Sequence, residues 1–308
     1  MRKESKTLLI TGATGYLAAN FLNYATKQLL LAAYDYVFLL DRNLKLDRLG
    51  SKLVSSDTVH KVSIDLGSFN SGSTNLSHLM GEIELNILKR SEIDILHFAY
   101  LGNLDSEITA LRFLIENLQV SRFIYLSSAA VYGENDSKPL RPSLESDIAK
   151  PISEYGLIKL ALEEYLSSII PEDRLLILRL ANPFYGEFNA KGVYQFFRKQ
   201  LLELSQGESF TVTINAEAER QIIRDFLHIN KFNDLMAKCL RKNLSGIYNL
   251  ASSKPVYLED FAEIVKQDLF EEGLIKETEL KKQISFKYLG FKANDIKVSC
   301  LSSEKVNS

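Results

Sequence analysis

The segment TLLITGATGYLAANFL, at residues 7–22, constrains the fold of this chain more than any other. A short apolar run leads into a turn that contains Gly12 and Gly15, and an amphipathic run begins directly after it. Glycine lets the backbone turn tightly and approach a pyrophosphate closely, and the small Ala18 lets the following helix pack on the strand. The N–H groups at the start of that helix attract phosphates. The segment therefore predicts a strand, a dinucleotide-binding turn and a helix.

Short apolar runs alternate with longer amphipathic runs through the first two-thirds of the chain. Continuous apolar strands separated by helices indicate a parallel sheet that is covered on both faces. We therefore predict an α/β fold built on a doubly wound, Rossmann-type parallel sheet. The predicted strands are residues 7–11, 36–40, 61–64, 93–98, 123–127 and 175–180, and the predicted helices are residues 16–31, 76–90, 105–118 and 154–170.

The pattern becomes less regular after about residue 182. The last third of the chain predicts a smaller C-terminal α/β cap that binds substrate, with a strand at 210–214 and helices at 193–205 and 258–270. We divide the chain into a dinucleotide-binding domain at 1–181 and a cap at 182–308 that is partly interleaved with it. A ligand cleft is expected between the two, at the carboxyl ends of the strands.

The composition disfavours several classes of function. The net charge is −2 and the lysines are spread along the chain, so we expect neither a nucleic acid nor a membrane as a partner. Cys239 and Cys300 fit no zinc or disulfide framework, and we predict no metal site. The longest apolar stretch, residues 29–40, is broken by Asp35 and is shorter than the ~20 residues that span a bilayer. We therefore expect a cytoplasmic protein.

Acidic residues at the ends of two predicted strands extend the dinucleotide site. Asp41 can accept hydrogen bonds from the adenosine ribose, which favours NAD, whereas the neighbouring Arg42 leaves NADP possible because it can hold a 2′-phosphate. Asp65 could reach the adenine amino group. The predicted cofactor-binding residues are Gly12, Thr14, Gly15, Tyr16, Leu17, Asp41, Arg42, Asp65, Leu66, Ala99, Tyr155 and Lys159.

Tyr155 and Lys159 form the predicted catalytic pair. They are four residues apart, so on a helix they share one face, and Ser128 ends the strand before them. Lowering the pKa of a phenol from near 10 to ~7 takes about 4 kcal/mol, which an ammonium and a positively charged nicotinamide can supply. We therefore predict Ser128, Tyr155 and Lys159 as catalytic residues, with Tyr155 as general base or acid. Tyr288 and Lys292 repeat the spacing without an upstream serine, and we interpret that pair as structural.

Five segments resemble the extended short-chain dehydrogenase/reductases, also called the NAD-dependent epimerase/dehydratase family. These segments are TGATGYLA, YLSSAAVYG, PISEYGLIK, LRLANPFYG and RDFLHI. The resemblance implies nucleotide-sugar substrates, with Ser128 and Asn182 at the substrate and Arg224 holding the nucleotide diphosphate. A salt bridge from Arg224 to Asp225 is the alternative for that arginine. The resemblance also places His97 beside the cofactor, where a structural role is as well supported as a functional one.

Two departures from the family pattern narrow the chemistry. Members that eliminate water carry acidic residues just after the catalytic serine or threonine, and this chain has Ala129 and Ala130 there, so a dehydratase is disfavoured. The loop after His97 is shorter than the family's usual loop. The asparagine that the family places at the start of the next helix is replaced, with Glu107 or a neighbour at its position.

Three functions remain open from the sequence. The first is a C4-type epimerase that acts on a nucleotide-diphosphate sugar through a transient 4-keto intermediate and keeps NAD bound. The second is an NAD(P)H-dependent reductase of a 4-keto sugar nucleotide, and the third is a dinucleotide-binding sensor or scaffold without turnover. The resemblance also implies a homodimer that forms through the helices at 105–118 and 154–170.

Overall fold

The structure is a computed structural model that describes residues 4–69, 79–186, 192–204, 210–291 and 295–308. The strands are β1 Ser5–Thr11, β2 Tyr36–Asp41, β3 Val59–Ser63, β4 Ser91–His97, β5 Val120–Ser128, β6 Leu175–Leu180, β7 Asn182–Phe184, β8 Phe210–Ile214, β9 Ile223–His228, β10 Gly246–Leu250, β11 Pro255–Tyr257, β12 Ile284–Tyr288 and β13 Val298–Ser299. The α-helices are α1 Tyr16–Lys27, α2 Ser51–Val54, α3 Glu82–Leu88, α4 Leu104–Asn117, α5 Glu154–Ile169, α6 Val193–Leu204, α7 Ile229–Arg241, α8 Leu258–Glu271, α9 Glu277–Leu280 and α10 Glu304–Asn307.

Seven strands form one parallel sheet in the order β3-β2-β1-β4-β5-β6-β10. The strand order reverses between β1 and β4, and in doubly wound sheets ligands bind at the carboxyl edge beside such a reversal. Strands β2 and β6 are largely continuous apolar runs because both faces of the sheet are covered, and all six residues of β6 are buried. The predicted doubly wound α/β fold is confirmed.

Two apolar cores lie on opposite faces of this sheet. On one face α1 and α7 pack against alternate residues of the strands, with Phe21 and Phe232 fully buried. On the other face α4 and α5 do the same, with Leu111 and Leu162 fully buried. Successive side chains of a strand point to opposite faces, so β1 sends Leu8 into the first core and Leu9 into the second.

The C-terminal third contributes to both the main sheet and a smaller cap. Its strand β10 pairs with β6, and its helix α7 covers one face of the sheet. The cap packs α6 and α8 on the β8–β12 pair around a third core, in which the Phe226 and Phe261 rings stack at 3.4 Å. A second small sheet joins β7, β9, β11 and β13. The domain boundary at residue 181 stays a prediction.

Several element boundaries differ from the sequence prediction. The first helix ends at Lys27 rather than residue 31, because Leu29 has a left-handed φ of 55° and a 3₁₀ turn follows. Helix α3 begins at Glu82, and the predicted start of that helix at residue 76 lies outside the described residues. In the described ranges no helix is long and apolar enough to cross a membrane.

Candidate active site

The glycine turn has the geometry that its sequence predicts. Gly12 has a φ of +63°, and a Cβ added to it would lie 2.9 Å from the backbone nitrogen of Ala99. Gly15 precedes α1, and no side chain caps the start of that helix in the described structure. The turn therefore presents backbone N–H groups and the positive end of a twelve-residue helix beside the carboxyl edge of β1.

Asp41 is bound to this turn. Its Oδ2 accepts hydrogen bonds from the Thr14 N–H at 2.9 Å and the Thr14 hydroxyl at 2.8 Å. Its Oδ1 accepts one from the Asn43 N–H at 3.3 Å. Asp41 therefore holds the turn in place, whether or not it also binds a ribose. Thr14 is buried and does not line the cavity described next.

A cavity of about 550 Å³ lies over the turn. Seven of the predicted cofactor residues line it: Gly12, Gly15, Asp41, Arg42, Asp65, Leu66 and Ala99. Arg42 and Asp65 are exposed at its rim, and the Asp65 Oδ1 accepts the Gly67 N–H at 3.0 Å. Tyr16 instead donates its hydroxyl to the Tyr185 carbonyl at 2.7 Å and lines neither this cavity nor the next.

Sequence reasoning missed Arg48 at this turn. Its Nη1 donates to the Thr14 carbonyl at 3.0 Å, which places a guanidinium against the glycine turn. The residue lies in a short 3₁₀ turn, Leu46–Arg48, with no motif around it. No sequence signal marks it, because the contact depends on how the chain after β2 folds back over the turn.

A second cavity of about 520 Å³ brings together the residues predicted for catalysis and substrate binding. It is lined by Ser128, Tyr155, Lys159, Asn182 and Arg224, and Leu17 is also in its wall. Ser153 caps α5, which places Tyr155 and Lys159 one helical turn apart on the cavity side. A Cβ on Gly156 would lie 2.5 Å from the Ala130 carbonyl, so only glycine lets α5 approach the loop after Ser128 this closely.

Lys159 is buried among aromatic rings. Its Nζ donates to the Leu126 carbonyl at 3.0 Å and lies 4.8 Å from the Tyr125 ring centroid and 5.8 Å from that of Tyr155. Burial lowers the pKa of Lys159 to about 8, and the carboxylates of Glu107 and Glu163 oppose this fall. The ammonium is therefore close to its titration point near neutral pH.

The environment of Tyr155 differs from what the sequence suggested. Burial raises the pKa of the phenol, and the hydrogen-bonding Ser128 hydroxyl lowers it. The polypeptide by itself therefore does not shift this pKa downward. The Ser128 oxygen also accepts the Ala130 N–H at 3.2 Å, which orients the hydroxyl at the end of β5.

A buried ion pair beneath these residues was also missed. The Arg179 Nε–H is shared between the Glu163 Oε1 at 3.1 Å and Oε2 at 3.2 Å, and the Arg179 Nη2 donates to Oε2 at 2.7 Å. The Ser127 hydroxyl donates to the same carboxylate at 2.5 Å. These contacts join α5, β5 and β6 directly under Ser128. A signal was available, since Glu163 is four residues after Lys159 on the same helical face.

Arg224 is held by backbone carbonyls. Its guanidinium donates to Ile223 and Lys297 at 2.9 Å each and to Ile296. The alternative salt bridge to Asp225 is absent from the hydrogen bonds of the described residues, because that carboxylate accepts from Ser252 and Ser253 instead. Burial lowers the pKa of Arg224.

Asn182 lies at the start of β7 in the same cavity wall. Its Nδ2 donates to the Asp225 carbonyl at 3.0 Å, which ties the residue to β9 in the cavity wall. The predicted substrate residues Ser128, Asn182 and Arg224 are thus brought together by the fold, while their contacts with a substrate stay predictions.

Two aromatic residues lie at the end of β4 and in the loop after it: His97, which the sequence analysis placed beside the cofactor, and Tyr100, which it did not predict. His97 is buried, lies 2.9 Å through its Nδ1 from the Thr11 hydroxyl, and lines neither cavity. Tyr100 lines both cavities, and its ring meets the Tyr155 ring edge-on at 5.2 Å. Tyr100 could not be predicted from the sequence, because the position of its ring depends on the shortened loop.

The remaining sequence predictions concern Tyr288, the cysteines and metals. The Tyr288 hydroxyl donates to Glu259 at 3.1 Å, and Lys292 lies outside the described residues. Cys239 and Cys300 are buried and unbridged. Within the described part of the chain, no group of three His, Cys, Asp or Glu side chains could hold a metal ion.

Comparison with known proteins identifies the family. A sequence profile described as the NAD dependent epimerase/dehydratase family matches residues 8–251. A similar fold occurs in UDP-glucose 4-epimerase from Thermus thermophilus in complex with NAD, which is 18% identical with a TM-score of 0.70, over 98% of this chain and 92% of that one. UDP-glucuronic acid 4-epimerase from Bacillus cereus, with UDP-glucuronic acid and NAD, is 18% identical with a TM-score of 0.71, over 98% and 91%.

A dehydratase is equally similar. The dTDP-glucose 4,6-dehydratase from Bacillus anthracis in complex with NAD is 17% identical with a TM-score of 0.70, over 98% of this chain and 89% of that one. At these identities the likeness shows a shared fold, and the family rests on the profile match. Because that match covers most of its residues, the chain belongs to the NAD dependent epimerase/dehydratase family, the extended short-chain dehydrogenase/reductases, as its sequence predicted.

Proposed function

We propose that this protein is an NAD-dependent epimerase that inverts a hydroxyl-bearing carbon, C4, of a nucleotide-diphosphate sugar through a transient 4-keto intermediate. The observation that carries the proposal is the convergence of Ser128, Tyr155 and Lys159 in one cavity at the carboxyl edge of the sheet. That cavity shares Phe98 and Tyr100 with the cavity over the glycine turn, so one extended ligand could occupy both.

The residues over the turn fit a dinucleotide. The missing side chain at Gly12 lets the turn pack against the Ala99 backbone, and the start of α1 beside it favours the negative charge of a pyrophosphate through the helix dipole. Asp41 lies at the end of β2 in the same cavity, where a carboxylate suits ribose hydroxyls and disfavours a 2′-phosphate. NAD is therefore the proposed cofactor, and when bound it supplies a reversible two-electron hydride acceptor.

Side chains of the protein carry out the proton transfer. The Tyr155 phenolate takes the proton of the sugar hydroxyl as the carbonyl forms, and the phenol returns it when the carbonyl is reduced. The Ser128 hydroxyl donates a hydrogen bond to the same sugar oxygen. The Lys159 ammonium favours the phenolate electrostatically, which opposes the effect of burial on the pKa of Tyr155.

The two residues after Ser128 favour inversion over dehydration. Elimination of water from the keto sugar needs a further acid or base for the neighbouring carbon. Ala129 and Ala130 occupy the positions where the family's dehydratases carry acidic residues, and both line the catalytic cavity. Neither can transfer a proton, so the keto intermediate would be reduced again rather than dehydrated.

The first test is mass spectrometry of the small molecules that the purified protein releases on denaturation. The proposal expects nearly one NAD per chain, followed by conversion of a UDP-hexose or UDP-hexuronic acid to its C4 epimer without added cofactor. Turnover of a 4-keto sugar nucleotide that consumes one NADH or NADPH per product would establish the reductase instead. Binding of a dinucleotide without turnover of any sugar nucleotide would leave the sensor or scaffold role.

A further inference from the structure

Three tyrosine rings lie around the Lys159 ammonium. Its Nζ is 4.8 Å from the ring centroid of Tyr125, 5.1 Å from that of Tyr100 and 5.8 Å from that of Tyr155. Each distance is within the ~6 Å at which the negative face of an aromatic ring attracts a cation. The ammonium has three N–H groups, and the Leu126 carbonyl accepts one of them at 3.0 Å. The rings therefore stabilise a positive charge on a residue that is 4% exposed.

Tyr100 is the one of these three tyrosines that lies in a loop, between β4 and α4. The Leu101 N–H donates to the Glu107 Oε1 at 2.7 Å, and Glu107 itself is 1% exposed. Asn103 caps α4, so it is Asn103 and not Glu107 that opens the helix. These contacts hold the backbone directly after Tyr100, so the position of its ring is set by a fixed loop.

The Tyr100 ring also contacts the proposed general base. It lies 5.2 Å from the Tyr155 ring with 84° between the two planes, which is the edge-to-face geometry that aromatic pairs prefer. Tyr100 lines both the cavity over the glycine turn and the catalytic cavity. A single side chain at the boundary of the two cavities therefore contacts both Lys159 and Tyr155.

We propose that Tyr100 is a positioning residue whose ring holds the Lys159 ammonium beside Tyr155 through a cation–π contact. The link to catalysis rests on the proposed function, in which the ammonium favours the Tyr155 phenolate. Tyr125 also contacts the ammonium, but its ring is fully buried in the core, whereas Tyr100 is 44% exposed. Tyr100 is therefore the ring that can be replaced without opening a hole in the core.

Other groups also act on the charge of Lys159, and the test must leave them unchanged. The titratable groups that act on it from the elements packed around it are Tyr155 and Glu163 on α5, Glu107 on α4, His97 on β4, Tyr125 on β5, and Tyr100 in the loop after β4. Tyr100→Phe keeps a ring and Tyr100→Leu removes it, and neither new side chain titrates. The remaining groups are the same in both variants, so their effects cancel in the comparison.

The stability of the protein reports the contact without substrate or cofactor. Burial lowers the pKa of Lys159 to about 8 from the ordinary 10.5, so the folded chain loses this charge at a lower pH than the unfolded chain does. A contact that stabilises the folded ammonium raises its pKa. Such a contact therefore adds stability at pH values below about 8, and its contribution is lost as the pH rises through that value.

Urea denaturation of the two variants measures this contribution. Relative to Tyr100→Phe, we expect Tyr100→Leu to lose at least about threefold more in the folding equilibrium constant at about pH 6 than at about pH 9.5. In the Lys159→Met background the difference between the two variants should be the same at both pH values, because only the packing of the side chain remains. A difference that does not depend on pH while Lys159 is present overturns the proposal. A pH dependence that persists in the Lys159→Met background overturns it as well.

The matched control is the same pair of substitutions at Tyr165. This tyrosine lies on α5, six residues after Lys159, and lines neither cavity. The difference in stability between Tyr165→Leu and Tyr165→Phe should not change between the two pH values. A change as large as the one at Tyr100 would show that replacing any tyrosine ring gives the effect, and the proposal would fail.

The catalytic consequence is read separately from the pH profile of kcat, with the sugar nucleotide that the wild type converts. Tyr100→Leu should move the alkaline limb of the profile to lower pH by at least about half a pH unit, because Lys159 then loses its proton earlier. Tyr100→Phe should leave the limb where the wild type has it. A limb at the same pH in both variants would refute the effect on catalysis. If no sugar nucleotide is converted, the proposed function fails, while the stability experiments still decide whether Tyr100 holds the charge on Lys159.

Discussion

Two neighbouring groups on α5 are pushed toward their neutral forms by the same burial. The pKa of Tyr155 is raised and that of Lys159 is lowered to about 8, so burial shifts each group toward its neutral form. Proximity opposes this effect, because phenolate and ammonium stabilise each other. Ionisation of Tyr155 therefore depends on two positive charges, the Lys159 ammonium and the nicotinamide ring of the proposed cofactor.

Replacing Tyr155 by phenylalanine should remove proton transfer and little else. The ring contact with Tyr100 at 5.2 Å is kept, so we expect KM to change little and kcat to fall by about 10²–10⁴-fold. Initial rates with the identified sugar nucleotide test this prediction. Tyr165→Phe, ten residues on along the same helix and outside both cavities, is the control. A Tyr155→Phe enzyme that keeps the wild-type rate would remove the proposed mechanism.

Comparison of Gly12→Ala with Gly273→Ala separates the effect of backbone strain from the effect of the close contact between Gly12 and the Ala99 backbone. Gly12 and Gly273 have φ values of +63° and +74°, so alanine strains both positions and costs each about 1–2 kcal/mol of stability. Of these two glycines, Gly12 is the one at which an added Cβ meets backbone, at 2.9 Å from the Ala99 nitrogen. We expect Gly12→Ala to weaken NAD binding at least tenfold by calorimetry and Gly273→Ala to leave it unchanged. Equal affinities would show that the turn does not hold the cofactor.

The ion pair between α5 and β6 fixes the element that carries Tyr155 and Lys159. Glu163 and Arg179 are almost fully buried, so Glu163→Gln leaves the guanidinium uncompensated and should cost about 3–5 kcal/mol in the free energy of unfolding. The double variant Glu163→Gln/Arg179→Met should lose less than the sum of the two single variants. Urea denaturation of the four proteins measures the coupling, and additive losses would contradict a direct pair.

Elements whose position follows from burial were predictable. The first six strands of the main sheet carry buried apolar residues, and each was predicted within a few residues of its observed bounds. Strand β10, GIYNL, and β12, ISFKY, are less apolar and were not identified from periodicity alone. The end of α1 was missed because Leu29 adopts a left-handed conformation that its sequence does not signal.

The site residues also fall into a group that was predictable from the sequence and a group that was not. Ser128, Tyr155 and Lys159 were predictable together, because a strand end and one helical face carry them to the same edge of the sheet. Arg48 and Glu107 act through the Thr14 carbonyl and the Leu101 N–H, which are set by how loops fold. Contacts of a side chain with loop backbone have no periodicity in the sequence, so they become visible only in three dimensions.

Segments that are far apart in sequence form the walls of the candidate catalytic cavity. Strand β7 and Arg224 of β9 supply one wall, and residues 295–299 supply another through Asp295, Ile296 and Ser299. The carbonyls of Ile296 and Lys297 accept hydrogen bonds from Arg224, so the C-terminal segment is held in the cavity wall. Because β10 also completes the main sheet, we expect the two proposed domains to unfold as one cooperative unit.

The outer surface of α5 presents apolar side chains that the protein's own core does not cover. Leu157 is 56% exposed and Ile169 is 43% exposed, on the helix that packs beside α4. Burying such a face between two copies would remove apolar area from water, so we expect a homodimer that forms through α4 and α5. Light scattering at micromolar concentration should give twice the chain mass of 34.9 kDa. Leu157→Glu should give the monomer mass, whereas Leu289→Glu, at a position that is 59% exposed in the C-terminal third, should leave the dimer intact. A wild-type protein with the monomer mass would show that this face stays open to solvent.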